Sequence, residues 1–329
     1  MNSRRDFLVA LGSTLAWPRF ARAQPAERTY RIGWLSTGSI SVSRAEPYNV
    51  AFVQRLSELG FVAGRNLVIE YRAAEGRTER LAELAADLVQ KKCDVLLAPG
   101  PEISLIAMEQ ASRDTPIVVV ANDYDPVATG HIASLARPGG RITGVSQLQS
   151  ELPAKRLELL KELLPKARRI AVFSDTATAG QLEAARTSAK RLGVVLQVIE
   201  FKRVPYDYEH AFAEAVRARA EALLALVSGF FVPARRRITE LALKHRLPSM
   251  FGNYLWAEAG GLLTYGPNFS EFYRRAAEQV SRILKGANPA EMPVEQPTTF
   301  ELVINLKTAK ALGITISQSI RVRADRLIE

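Results

Sequence analysis

Thiols and imidazoles are scarce in this sequence: one cysteine, Cys93, and three histidines, His131, His210 and His245, in 329 residues. A single cysteine excludes an internal disulfide framework and any multi-cysteine metal site. The histidines are scattered, without metal-ligand spacing or an H-E-x-x-H pair. The G-x-S-x-G elbow, the P-loop and the G-x-G-x-x-G fingerprint are also missing. No apolar run reaches the ~20 residues that span a bilayer. No tract is of low complexity, and the basic residues form no block that a nucleic acid would recognise. The expectation is a protein without cofactor, metal or nucleic-acid partner. Cys93, between Lys92 and Asp94 at the start of a strand, reads as a small buried residue rather than a nucleophile.

What is present is ordinary globular material, 47% hydrophobic and 24% charged, enough for one large domain or two smaller ones. The first 23 residues differ. They combine a charged start, an apolar stretch from Phe7 to Trp17 and a small-x-small ending at Ala21-Arg22-Ala23, the parts of a secretory signal peptide. Ser3-Arg4-Arg5-Asp6-Phe7-Leu8 is similar to the twin-arginine export signal, with Val9 where a lysine often stands. No cysteine follows the cleavage site, which argues against lipid anchoring. Removing this segment takes Arg4, Arg5, Arg19 and Arg22 against Asp6, so the net charge falls from +10 to about +7. The expected location is periplasmic.

From Tyr30 onward, strand-like apolar runs alternate with helical stripes. Residues 31–36, 67–72, 95–99 and 117–121 read as strands, and Phe52, Leu56, Leu59 and Leu81, Leu84, Leu88 as helix faces. The pattern restarts with strands at 169–174, 195–201, 222–228, 248–252 and 261–265, separated by helices at 182–192, 209–220 and 234–245. Gly193 falls where a left-handed C-cap is expected. Alternation of this kind implies parallel sheets covered on both faces, here two in tandem with a short polar join at 146–150.

Ligands of open α/β sheets bind outside the carboxyl ends of the strands. The residues expected there are Ser36, Thr37, Ser39, Gly100, Asp123, Tyr124, Ser146, Ser174, Phe230, Phe231, Asn253 and Tyr265. Hydroxyls, glycines and aromatics in this mixture suit a small amphipathic molecule better than a phosphate or a metal. Asp125-Pro126 has the form of a helix N-cap followed by its first turn. Asp123 is either solvated or the receiver of a cationic ligand group. Tyr124 either packs on its lobe or stacks on the ligand. Of Phe230 and Phe231, which point apart on an extended chain, one is expected in the core and one on the cleft wall.

Several segments together resemble one family. They are Leu59-Gly60-Phe61-Val62-Ala63-Gly64-Arg65-Asn66-Leu67, Asp125-Pro126-Val127, residues 134–140 (SLARPGG), residues 155–161 (KRLELLK), Glu258-Ala259-Gly260-Gly261-Leu262 and residues 300–310 (FELVINLKTAK). The chain resembles the ABC-transporter substrate-binding proteins of the tryptophan-binding-protein type. The resemblance implies two Rossmann-like lobes with parallel sheets joined by a three-crossing hinge, the type I periplasmic binding fold. It implies lobes at 28–147 plus 267–296 and at 148–266 plus 297–329, with the helix 270–284 returning to the first. It further implies a monomer that captures a small organic ligand, with aromatic and other amino acids as the candidates, for an ABC permease in the inner membrane. A ligand-sensing subunit for a membrane receptor and an extracytoplasmic α/β enzyme on a small metabolite are the alternatives.

Overall fold

The computed structural model describes residues 28–122, 124–147 and 152–329. The expected export signal at 1–23 lies outside them.

Five strands form the first sheet: β1 (Tyr30–Ser36), β2 (Leu67–Ala73), β3 (Val95–Gly100), β4 (Ile117–Ala121) and β5 (Ile142–Ser146), in the order β2-β1-β3-β4-β5. All pairings are parallel. The helices between them are α1 (Ile40–Ala45), α2 (Pro47–Glu58), α3 (Leu81–Gln90) and α4 (Glu102–Ala111). β4 reads Ile-Val-Val-Val-Ala and is buried throughout, as a central parallel strand covered on both faces must be. Leu81, Leu84 and Leu88 pack on one face with Met108 and Cys93.

The second sheet holds β6 (Arg169–Asp175), β7 (Val195–Phe201), β8 (Ala222–Ala225), β9 (Ser249–Phe251), β10 (Leu263–Pro267), β11 (Phe300–Asn305) and β12 (Arg326–Ile328), ordered β12-β11-β10-β9-β8-β6-β7. Its helices are α5 (Leu152–Leu163), α6 (Ala179–Leu192), α7 (Tyr208–Arg217), α8 (Arg235–Lys244) and α9 (Tyr254–Glu258). α10 (Phe269–Leu284) leaves this lobe, and its Phe272, Ala276, Val280 and Ile283 join the first core beside Phe52 and Leu56 of α2. α11 (Leu306–Leu312) and α12 (Gln318–Arg323) then complete the second core. Gly193 closes α6 at φ 63°, in the left-handed conformation expected of it.

The chain therefore passes between the sheets three times: after β5, between Pro267 of β10 and Phe269 of α10, and between Glu295, bridged to Val145, and Phe300 of β11. The last passage reverses the chain. β11 lies antiparallel to β10, while the other pairings of this sheet are parallel as expected. A strand entering from the other lobe starts at the cleft edge, so it must run against strands that end there. Ser146, where the join is expected to begin, is the last residue of the buried edge strand β5, and residues 148–151 of the join lie outside the described residues. Pro126 does not open a helix. Asp125 Oδ1 accepts from the N–H groups of Val127 (2.9 Å) and Ala128 (3.3 Å), and the chain continues as a turn.

Candidate functional site

Between the carboxyl ends of the strands of both sheets lies a cavity of about 100 Å³. From the first lobe, β1 contributes Trp34 and Ser36, the following loop Thr37 and Gly38, β3 Gly100, and the end of β4 Asn122. α10 adds Phe269 and Tyr273. From the second lobe come Ala225 at the end of β8 and residues 226–229 after it, Phe251 at the end of β9 with Gly252 and Asn253 after it, and Trp256 of α9.

The walls are aromatic. Tyr48 and Tyr273 lie 4.7 Å apart between centroids, and Tyr48 and Phe269 lie 5.8 Å apart. Across the cleft, Phe251 and Trp256 stack at 4.5 Å with planes 9° apart. Burial, each other's proximity and Glu46 push the Tyr48 phenol well above its usual range; burial and Glu46 do the same to Tyr273. Both therefore stay protonated and able to donate.

Two charged side chains, Glu46 and Arg235, line this cavity among the described residues, and they meet across it. Glu46 Oε1 accepts from Arg235 Nη1 at 2.5 Å, with Glu46 only 5% exposed. Glu46 is the N-cap residue of α2, yet its side chain caps nothing; it faces the other lobe instead. Arg235 opens α8, where a cation opposes the helix dipole. Arg235 is placed against local preference, the Glu46 side chain makes no cap bond to its own helix, and the two find each other from opposite lobes.

The loops that carry these groups are held from behind. Gln181 clamps Val227 with two bonds: Nε2 donates to the carbonyl (2.8 Å) and Oε1 accepts from the N–H (2.9 Å). Ser228 donates to Asp175 Oδ2 at 2.5 Å. The fully buried Arg156 donates from Nε to the Tyr265 carbonyl at 2.7 Å, and burial lowers its guanidinium to about 9. Gly252 and Gly266 keep this region tight. A Cβ on Gly266 would stand 1.8 Å from the Gly252 carbonyl oxygen.

Of the residues expected from sequence, Ser36, Thr37, Gly100 and Asn253 line the cavity. Tyr124 and Phe230 line a second recess farther along the same seam, with Glu75, Lys202 and Tyr206. Phe231 is in the core, whereas Phe230 lines the second recess. Ser39 pairs with Ser41, and Ser174 is buried against Thr178 Oγ1 at 2.9 Å. Ser146 is buried within β5, and Tyr265 packs on the second core and stacks on Phe300. These four, with Phe231, are not among the residues lining either opening. Asp123 lies outside the described residues. Glu46, Arg235, Tyr48, Tyr273 and Trp256 were not anticipated, because they sit on helices rather than on strand ends. A signal for Arg235 exists in the sequence: three arginines, Arg235 to Arg237, stand where a helix start prefers acids.

The sequence profile of the family described as ABC transporter substrate binding protein matches residues 48–328. The chain belongs to this family. Among its relatives is a tyrosine-binding protein of Clostridioides difficile (strain R20291), 26% identical over 266 residues, spanning 80% of this chain and 75% of that protein. A solved conserved domain protein from Vibrio cholerae superposes with a TM-score of 0.81 at 24% identity, covering 91% of this chain and all of the other. The ABC domain from Streptococcus pneumonia in complex with L-Trp gives 0.79 at 22% identity with the same coverage. The fold is that of type I periplasmic binding proteins, and the family is one of substrate binding, not an enzyme class.

Proposed function

We propose that this protein is an exported receptor that captures a neutral, zwitterionic amino acid with an apolar or aromatic side chain and delivers it to an ABC permease. The observation that carries this reading is the lining of the cavity: one carboxylate and one guanidinium among aromatic rings, aliphatic side chains such as Leu226, Val232 and Leu255, and a few amides and hydroxyls. A zwitterion placed beside the Glu46–Arg235 pair keeps the site neutral overall, whereas a simple amine or acid leaves an uncompensated charge in a dry cleft. Stacked rings such as Phe251 and Trp256 suit a flat apolar side chain. The names of relatives that bind tyrosine or carry L-Trp agree with it.

In this reading, residues 28–147 with 267–296 and residues 148–266 with 297–329 are the moving lobes. Ligand contacts from both favour the closed form, which the permease recognises. Export by the leader at 1–23 places the protein where the ligand is met.

The test is a thermal-shift and calorimetric panel of the twenty amino acids, with neutral sugars and benzoate as controls. Aromatic or large apolar amino acids should bind and raise the melting temperature, the stabilisation reaching about 2.7 kcal/mol at a hundredfold excess over Kd. Binding of sugars or benzoate alone would overturn the proposal.

A further inference from the structure

The Glu46 carboxylate is used on one side only. Oε1 is engaged by Arg235, while Oε2 is buried without a hydrogen-bond partner among the described residues. Carboxylate oxygens out of water are costly unless a donor meets them. The usual local outlet, the N–H groups at the start of α2, is not taken by this side chain. A second unpartnered group lines the same cavity. Trp34, 1% exposed, has its indole Nε1 buried with no acceptor among the described residues. One wall thus offers an acceptor with a full negative charge and a donor, both within one small cavity.

We infer that Glu46 is the ammonium receptor of the site and sets its preference for amino acids over their deaminated analogues. This deepens the function proposed above and rests on it. Glu46 Oε2 accepts from the ligand ammonium, and Trp34 Nε1 serves the ligand's acceptor oxygen. Arg235 acts as a positioning residue that holds the carboxylate in place from the opposite lobe. An ammonium–carboxylate contact is charge-assisted, and its loss reads as about a 10- to 100-fold change in dissociation constant.

The experiment uses L-tyrosine, its deaminated analogue 3-(4-hydroxyphenyl)propanoate, and tyramine, which lacks the carboxylate. Each is titrated calorimetrically into the wild type and into Glu46→Gln. The wild type should favour tyrosine over the deaminated acid by at least about tenfold, and Glu46→Gln should reduce this preference to within about threefold. Tyrosine binding with an intact preference in Glu46→Gln overturns the assignment of Glu46 and leaves the proposed function standing. Failure of the wild type to bind these three or any amino acid of the panel overturns both; where another amino acid binds instead of tyrosine, it and its deaminated and decarboxylated analogues are titrated in the same way. If Glu46→Gln does not fold, Arg235→Gln decides the matter, since it leaves the Glu46 charge without its counter-ion. Tyramine should then gain on the deaminated acid, and an unchanged ratio of the two overturns the inference.

Discussion

Cys93 illustrates how placement decides chemistry at the scale of one residue. Its side chain packs in the first core against β1, where a Cβ on Gly33 would lie 3.1 Å from its sulfur. Burial raises the thiol from 9.0 to about 11, with Glu70 adding in the same direction. Thiolate is the reactive form, so the native thiol should resist alkylation at pH 8 while the unfolded chain reacts readily. The same shift has a consequence for stability. Between pH 9 and about 11 the unfolded thiol loses its proton and the folded one retains it. The contribution is therefore complete below the unfolded value and is lost as pH rises through the folded one. Urea midpoints of wild type and Cys93→Ala at pH 8 and pH 10.5 check this. The wild type should lose more stability over that interval than the variant, and parallel losses would show that the thiol titrates normally.

At the scale of elements, α10 shows how a crossing is fixed. Its N-cap Asn268 accepts from the Glu271 N–H at 3.0 Å and donates to Glu301 Oε1 at 2.7 Å. One side chain thus starts the helix that joins the first lobe and ties it to β11 of the second. Asn268→Ala should cost about 1 kcal/mol in urea unfolding while leaving ligand affinity within a factor of two to three. The sequence made α10 legible through its stripe of Phe272, Ala276, Val280 and Ile283, and β4 through its unbroken apolar run. β5 was not legible: Ile-Thr-Gly-Val-Ser carries a glycine and two hydroxyls, and its strand state depends on pairing with β4. The positive φ of 138° at Gly144, whose Cβ would lie 2.2 Å from the Val119 carbonyl, is equally a tertiary fact. The site followed the same division. Strand ends pointed to Ser36, Thr37, Gly100 and Asn253, but Glu46 and Arg235 owe their meeting to the approach of two lobes. No periodicity within one segment encodes that approach.

At the scale of the molecule, the Glu46–Arg235 pair joins the two lobes, and under the proposed closure mechanism its energetics favour opening once it is broken. An exposed pair contributes little, but this carboxylate is nearly inaccessible to water. Removing one partner of a buried pair costs roughly 3–5 kcal/mol, chiefly because the remaining charge stays buried. Here that cost has an escape. If the lobes swing apart, Glu46 regains water, so Arg235→Ala penalises the closed form and spares the open one. A shift of about 5.5 kcal/mol converts a 99:1 population into 1:99, and 3–5 kcal/mol is a large part of that span. Small-angle scattering of the ligand-free proteins should therefore give a larger radius of gyration for Arg235→Ala than for wild type. Each lobe keeps its own sheet, so secondary structure by circular dichroism should be unchanged. Adding L-tyrosine at saturation should draw wild type and variant to one smaller radius, at a higher ligand concentration for the variant. If the two ligand-free curves superimpose, the pair does not hold the lobes together, and the lobes are held by other contacts across the seam such as Tyr254 Oη with Ser270 Oγ.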